Sequence, residues 1–283
     1  MSPACAPALL QAPSHWRQVD FIADLHLQSG DSSTFGAWRR FMQTTKADAL
    51  FILGDLFEVW VGDDVIHQVG LDSASTGTDP GPGLALRCAE LIKAASDRLD
   101  VYFMHGNRDF LMGPAYADAC GMQLLEDPTV LDFGGQRWLL SHGDALCLDD
   151  ADYMRFRALV RSQAWRREFL GRPLAERQAS ARAMRSQSEA RKSRDAAKGA
   201  VLADLDASAT RERMRAAGAG TLIHGHTHRP AEHDLGQGLR RLVLSDWDGD
   251  ASPARLSFLR LSLPCAGQAG AIARVERLAS ASA

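Results

Sequence analysis

The chain has 283 residues, 46% apolar and 24% charged, with a formal net charge of −3. That balance suits a globular protein with a large buried core and argues against a disordered, collagen-like or coiled-coil chain. No apolar run approaches the roughly 20 residues of a membrane span, and the five scattered cysteines form no CxxC pair, so a reducing cytoplasm is the expected compartment, without a disulfide framework or zinc knuckle.

Residues 1–18 carry three prolines, no basic residue before Arg17 and no continuous apolar core, so they do not read as a secretory signal. Short β-like runs are expected at 18–23, 49–53, 101–104, 129–133, 138–141, 221–224, 239–245 and 255–261, with helices at 34–46, 84–99 and 110–120 between the earlier ones. Strands alternating with helices predict a layered α/β sheet, and the later strands read as antiparallel hairpins. The glycine- and proline-rich stretch 70–83 reads as a surface loop. Residues 155–215 hold 16 Lys and Arg against 7 Asp and Glu, which leaves the rest of the chain acidic. Rich in Ala, Arg, Leu, Glu and Gln, this segment predicts a helical insertion, broken at Gly171-Arg172-Pro173, resumed near Leu174 and closed by Gly218 and Gly220. Tyr153, Phe156, Leu159 and Val160 follow helical spacing at its start. The expected organisation over 1–283 is a single domain, with a core at 17–150 and 218–262 and a helical insertion at 151–217.

Five polar clusters each follow a β-like run: Asp24-Leu25-His26, Gly54-Asp55, Gly106-Asn107-Arg108-Asp109, His142-Gly143-Asp144 and His224-Gly225-His226-Thr227-His228. In an open α/β sheet ligands collect at strand ends, so the clusters can converge. Carboxylate, imidazole and amide donors without cysteine suit Mn²⁺, Fe²⁺ or Zn²⁺. Seven donors, Asp24, His26, Asp55, Asn107, His142, His226 and His228, exceed what one ion takes; a bridging carboxylate would let two ions share them. Gly54, Gly106, Gly143 and Gly225 are expected where the backbone turns sharply or closely approaches an ion. The i, i+2 spacing of His226 and His228 would put both rings on one side of an extended segment. His105 and His224 are expected to pack at strand ends or beside the ligands, His15, His67 and His233 on the surface, and Cys147 as a buried thiol. Asp109 and Asp144 are expected to orient metal-binding groups, and Glu58, Asp63 and Asp64 to shape a rim or cap a turn.

The order DxH, GD, GNxD, HGD, GHxH resembles the calcineurin-like metallophosphoesterase superfamily. Within it, FIADLHL over 21–27, LGDLFEVWVGDD over 53–64, HGNRDF over 105–110 and IHGHTHRP over 223–230 are similar to the branch that hydrolyses UDP-2,3-diacylglucosamine in lipid A biosynthesis. The resemblance, from about Phe21 to Leu261, implies a layered β-sandwich flanked by helices with a helical lid. It implies two Mn²⁺, one held by Asp24, His26, Asp55 and His228, the other by Asp55, Asn107, His142 and His226. It also implies catalytic roles for Asn107, Arg108 and His142, and substrate contacts from Asn107, Arg108, Asp150, Ser188, Lys198 and His226. The implied reaction is attack of metal-activated water on the UMP-side phosphorus, giving UMP and 2,3-diacylglucosamine 1-phosphate. An arginine at 108 stays charged and can pair bidentately with phosphate.

The implied partners are the lipid substrate and the cytoplasmic face of the inner membrane, with neither nucleic acid nor an obligate protein partner. An Arg-rich lid could rest on anionic headgroups, with Trp165, Phe169 and Leu170 toward the acyl chains. The alternatives are a nuclease using the same metal site, which finds no aromatic-interleaved basic patch here, and a non-enzymatic scaffold, against which every ligand position is filled.

Overall fold

In a computed structural model of the chain, the described residues are 7–67, 82–197, 204–264 and 273–280, with the side chains of 82 and 187–197 not among them. Two six-stranded sheets face each other. The first sheet is ordered β12-β11-β2-β3-β4-β5, from β2 (Gln18–Ile22), β3 (Ala49–Leu53), β4 (Asp100–Met104), β5 (Gln123–Leu125), β11 (Ser257–Ser262) and β12 (Arg274–Ala279). Strands β2 to β5 run parallel, joined by α1 (Ser32–Thr44), α2 (Pro82–Ser96) and α3 (Pro114–Cys120). The second is ordered β1-β6-β7-β8-β10-β9, from β1 (Ala8–Gln11), β6 (Thr129–Phe133), β7 (Gln136–Ser141), β8 (Thr221–His224), β9 (Glu232–Gly236) and β10 (Leu239–Val243).

Period-two alternation builds three layers of core. On β3, Ala49, Phe51 and Leu53 face the second sheet and pack with Trp16, Leu131, Trp138 and Ile223. Leu50 and Ile52 face the opposite way, onto Trp38, Phe41 and Ile92 of α1 and α2. Every residue of β3 is buried, so the strand reads as a continuous apolar run, as central parallel strands do. On the far face, Leu139 and Leu222 meet Met214 and Ala217 of α7 (Ala207–Ala217).

The insertion holds four helices where the sequence suggests a single break: α4 (Ala151–Val160), α5 (Gln163–Leu170), α6 (Leu174–Ala197) and α7. Capping explains the extra ends. Asp150 accepts from Tyr153 N (3.0 Å), Ser162 from Trp165 N (3.3 Å) and Asp206 from Ala209 N (2.7 Å). Gly218 closes α7 in the left-handed conformation. Arg177 of α6, 2% exposed, donates to Arg172 O, Val61 O and Asp64.

The late strands include the expected antiparallel pairs, β9 with β10 and β11 with β12, and a parallel pairing besides, β10 with β8. β1, β5, β9 and β12 escape the sequence reading: β5 has three residues, and β1, β9 and β12 are edge strands of alternating half-buried residues rather than apolar runs. β1 lies within the N-terminal stretch and pairs parallel with β6. The loop expected at 70–83 falls mostly outside the described residues, and Pro82 and Gly83 begin α2. Among the described residues no helix is long and apolar enough to cross a membrane.

Candidate metal centre

The five polar clusters lie where β2, β3, β4, β7 and β8 end, and backbone bonds tie these loops together. Asp24 N donates to Gly54 O (3.1 Å), Leu25 N to Asp55 O (2.9 Å) and Gly225 N to His142 O (3.0 Å). Six non-glycine described residues have positive φ; five are Asp24, His26, Asp55, His226 and His228. An L-residue adopts that region at a cost, and clustering at one site marks geometry enforced by the surrounding fold. The His226–His228 segment is therefore not extended. Left-handed turns, rather than strand alternation, aim its two rings at different groups.

Those groups overlap: Asp24 belongs both with His26 and His228 and with Asp55 and His142. Ligand atoms of Asp24, His26 and His228 lie within 4.8 Å of one another, with His26 Nε2 3.2 Å from His228 Nε2 and His228 Nε2 3.4 Å from Asp24 Oδ1. On the other side, Asn107 Oδ1 lies 3.0 Å from His142 Nε2 and 2.9 Å from His226 Nδ1. Asp55 Oδ2 stands between, 3.8 Å from His26 Nε2 and 3.7 Å from His142 Nε2. The structure thus brings all seven predicted donors together.

Two of the glycines act by absence of a side chain rather than by positive φ. A Cβ on Gly106 would overlap Asp55 Oδ1, and one on Gly225 would overlap Asp24 Oδ2. Gly54 and Gly143 do adopt positive φ. Asp109, fully buried, accepts from Asp55 N (3.3 Å), Gly106 N (2.8 Å) and Leu56 N (2.7 Å), clamping two ligand loops. Desolvation and the adjacent Asp55 push its carboxyl up to about 7.

The electrostatics of the site favour positive charge. Burial alone would raise Asp24, but its bond with His228 and the nearby His142 hold it at about 2. Burial opposes ionisation of His142, yet Asp55, Asp24 and Asp144 push it up to about 9. His26 is raised by Glu58 and Asp55 against the same burial penalty. His226, desolvated and beside His142, is lowered to about 3, so its ring stays neutral. Carboxylates buried this deeply call for cations, and oxygen and nitrogen donors without sulfur fit hard-to-borderline divalent metals. Ring orientation fits too. His142 Nδ1 donates to Leu53 O (2.9 Å), and His26 Nδ1 lies against Glu58 Oε2 as an ion pair (2.7 Å), leaving each Nε2 facing the site.

Other expectations fare differently. Asp144 does not orient a ligand: its Oδ2 accepts from Tyr153 Oη (2.6 Å) and Arg157 Nε (2.8 Å), fastening α4 to the site. Asp150 is the N-cap of α4. His224 Nδ1 bonds Gly225 O (2.7 Å) and His105 Nε2 bonds Met112 O (2.6 Å), so both pack beside the ligand loops. Asp63 caps, accepting from Gly113 N (2.8 Å) and Tyr116 N (3.1 Å). Phe169 is 2% exposed and stacks on Trp165 (4.5 Å) against the core. Hence these two do not form an open apolar surface, and Phe156, Leu159 and Leu170 are the exposed ones. The Ser188 side chain and Lys198 lie outside the described residues.

Residues not anticipated from the sequence include Arg161, whose Nη2 donates to Gly106 O (2.8 Å), Arg185, and Tyr153, stacked on His226 at 6.0 Å. The signal available for them in the sequence is Arg157 and Arg161, one helical turn apart in the basic insertion.

Residues 17–230 match the family model described as calcineurin-like phosphoesterase. A UDP-2,3-diacylglucosamine hydrolase of Chromobacterium violaceum is 44% identical over 238 residues, 82% of this chain and 91% of the relative. One of Stenotrophomonas maltophilia is 42% identical over 246 residues, 83% of this chain and 93% of the relative. Among solved structures, vacuolar protein sorting 29 of Cryptosporidium parvum aligns with a TM-score of 0.43 at 13% identity, covering 93% of this chain and 98% of its own.

Proposed function

The chain belongs to the calcineurin-like phosphoesterase family, and from that premise we propose that it hydrolyses UDP-2,3-diacylglucosamine to UMP and 2,3-diacylglucosamine 1-phosphate in lipid A biosynthesis. The observation that carries this reading is Asp55 Oδ2, set almost equally far from His26 and His142 between two donor groups. It matches a dinuclear phosphoryl-transfer site more closely than a single-ion one.

Asp24, His26, Asp55 and His228 would hold one Mn²⁺, and Asp55, Asn107, His142 and His226 the second. Such ions, when bound, supply Lewis-acid charge for a phosphoryl oxygen and lower the pKa of water toward neutrality. Arg108 is half-buried beside the site, and its backbone N–H bonds Asp55 Oδ1 (2.8 Å). Its guanidinium and the Asn107 amide would orient the pyrophosphate for in-line attack at the UMP-side phosphorus. The leaving phosphate carries its own charge and needs no proton from a side chain.

Asp150 would bind the glucosamine portion and His226 the substrate, and Ser188 and Lys198 take their substrate role from the family resemblance alone. The helices of 151–217 would serve as the lid over the acyl chains. Phe156, Leu159 and Leu170, exposed on Arg-rich helices, would support peripheral attachment to the cytoplasmic face of the inner membrane. Neither nucleic acid nor an obligate protein partner is part of this reading.

The test is mass-spectrometric product analysis of wild type and His142→Ala, each with and without Mn²⁺, offered UDP-2,3-diacylglucosamine, UDP-N-acetylglucosamine and single-stranded DNA. Mn²⁺-dependent UMP release from the acylated substrate by wild type alone is expected. DNA cleavage, or equal turnover of all three, refutes the assignment.

A further inference from the structure

Glu58 lies at the end of the GDLFE run and is 7% exposed, although it carries a carboxylate. Its two oxygens face different partners. Oε2 takes the Nδ1 of His26 at 2.7 Å. Oε1 faces Nη1 of Arg185 on α6 at 3.1 Å and Nη1 of Arg108 at 3.7 Å. One carboxylate therefore touches the loop after β2, the loop after β4 and the lid helix.

We propose that Glu58 is a positioning residue that joins the metal side of the site to its substrate side, aligning His26 with one oxygen and holding the Arg108 and Arg185 guanidiniums with the other. The inference rests on the dinuclear hydrolase reading above and extends it by giving Arg185 a place beside the substrate phosphates.

Two observations argue against a merely structural ion cluster. First, α6 is already anchored by Arg177, nearly fully buried on Asp64 and Val61 O, so the Glu58–Arg185 contact is not needed to dock the helix. Second, the groups Glu58 holds are those that face the site: His26 presents Nε2 to His228 and Asp55 (3.2 and 3.8 Å), and Arg108 is bonded through its backbone to Asp55. A buried acid held between a histidine of the metal site and two guanidiniums therefore couples the placement of one to the other.

The experiment compares wild type, Glu58→Gln, Arg185→Ala and the double variant. Mn²⁺ affinity of the metal-stripped proteins is measured by calorimetry, KM and kcat with UDP-2,3-diacylglucosamine by steady-state assay, and melting temperature reports folding. Removing an outer carboxylate from a ligand histidine weakens metal binding about 10- to 100-fold, so Glu58→Gln is expected to lose at least about tenfold in Mn²⁺ affinity and also to raise KM. Arg185→Ala is expected to raise KM with Mn²⁺ affinity unchanged. The double variant is expected to show a KM no higher than the worse single one, the non-additivity of residues sharing a contact. Wild-type Mn²⁺ affinity in Glu58→Gln, or KM effects that multiply independently, overturns the proposal. Glu58→Asp, which keeps charge but shortens reach, replaces Gln if that variant does not fold, with the same two criteria. Failure of wild type to cleave the lipid substrate would instead refute the functional reading, and the Mn²⁺ calorimetry would still decide the role of Glu58.

Discussion

Gly106→Ala is the sharpest test of how the centre is assembled. The added Cβ would overlap Asp55 Oδ1 and stand only 2.7 Å from Asp55 Cγ. Ordinary carbon contacts start near 3.5 Å, so the Asp55 carboxylate would have to retreat by about 0.8 Å. It has nowhere to go cheaply, because Asp55 is 1% exposed and its backbone N–H is bound to Asp109. Overpacking of this kind costs about 1–3 kcal/mol of stability. A displacement approaching 1 Å in a group that positions reactants costs about 100-fold in turnover. The assay is kcat/KM with UDP-2,3-diacylglucosamine alongside melting temperature, with Gly220→Ala as control, since that Cβ would meet nothing closer than 3.9 Å. The expected result is a loss of about 100-fold for Gly106→Ala from a protein that still melts cooperatively, and near-wild-type behaviour for Gly220→Ala. Activity within threefold of wild type in Gly106→Ala would refute the close-approach argument and, with it, the central place of Asp55.

Chelation should lower the melting temperature, since an ion that binds only the folded state at 100 times its Kd stabilises by about 2.7 kcal/mol; a titration with Mn²⁺ should restore it in wild type but much less in His142→Ala. Asp144→Asn should loosen α4, because it removes the charge opposite Arg157 and Tyr153 at a buried site; a loss of about 1.5–3 kcal/mol and faster proteolysis within 151–170 are expected. Asp204 pairs both oxygens with Arg241 (2.9 and 3.0 Å). Burial alone would raise its carboxyl, but Arg241 lowers it below the unfolded value, so its stabilisation is present above about pH 4 and fades as pH falls through the folded pKa. Asp204→Asn should therefore lower the melting temperature at pH 7 by the equivalent of about 1 kcal/mol for this partly exposed pair, with the difference from wild type closing as pH falls through the folded pKa. Phe156→Ser with Leu159→Ser, both exposed, should leave stability within about 0.5 kcal/mol while reducing co-sedimentation with anionic vesicles; unchanged sedimentation would remove the lid from membrane contact.

Much of this was legible in the residues. The central strands announce themselves because they are buried on both faces and read as unbroken apolar runs, as Ala49–Leu53 does. The edge strands β1, β9 and β12 do not, because half-buried alternation over so few residues looks like loop. The clusters after the central strands were visible because carboxylate, imidazole and glycine recur together at strand ends. Asp144 misled for a related reason. Its place beside His142 suggests a partner for the ring, while the carboxylate is in fact taken by two side chains of α4.

The sequence by itself determined the donor set, the alternation of strand and helix that carries it and the basic character of the insertion, since these are local properties of residue type and spacing. Only the tertiary structure decided that Asp55 stands between two groups, that Gly106 and Gly225 are empty because carboxylates pass there, and that Glu58 meets Arg185 across 127 positions of chain. Such contacts depend on two sheets and the inserted helices meeting at one point, and spacing along a chain does not encode which distant side chains share a buried charge.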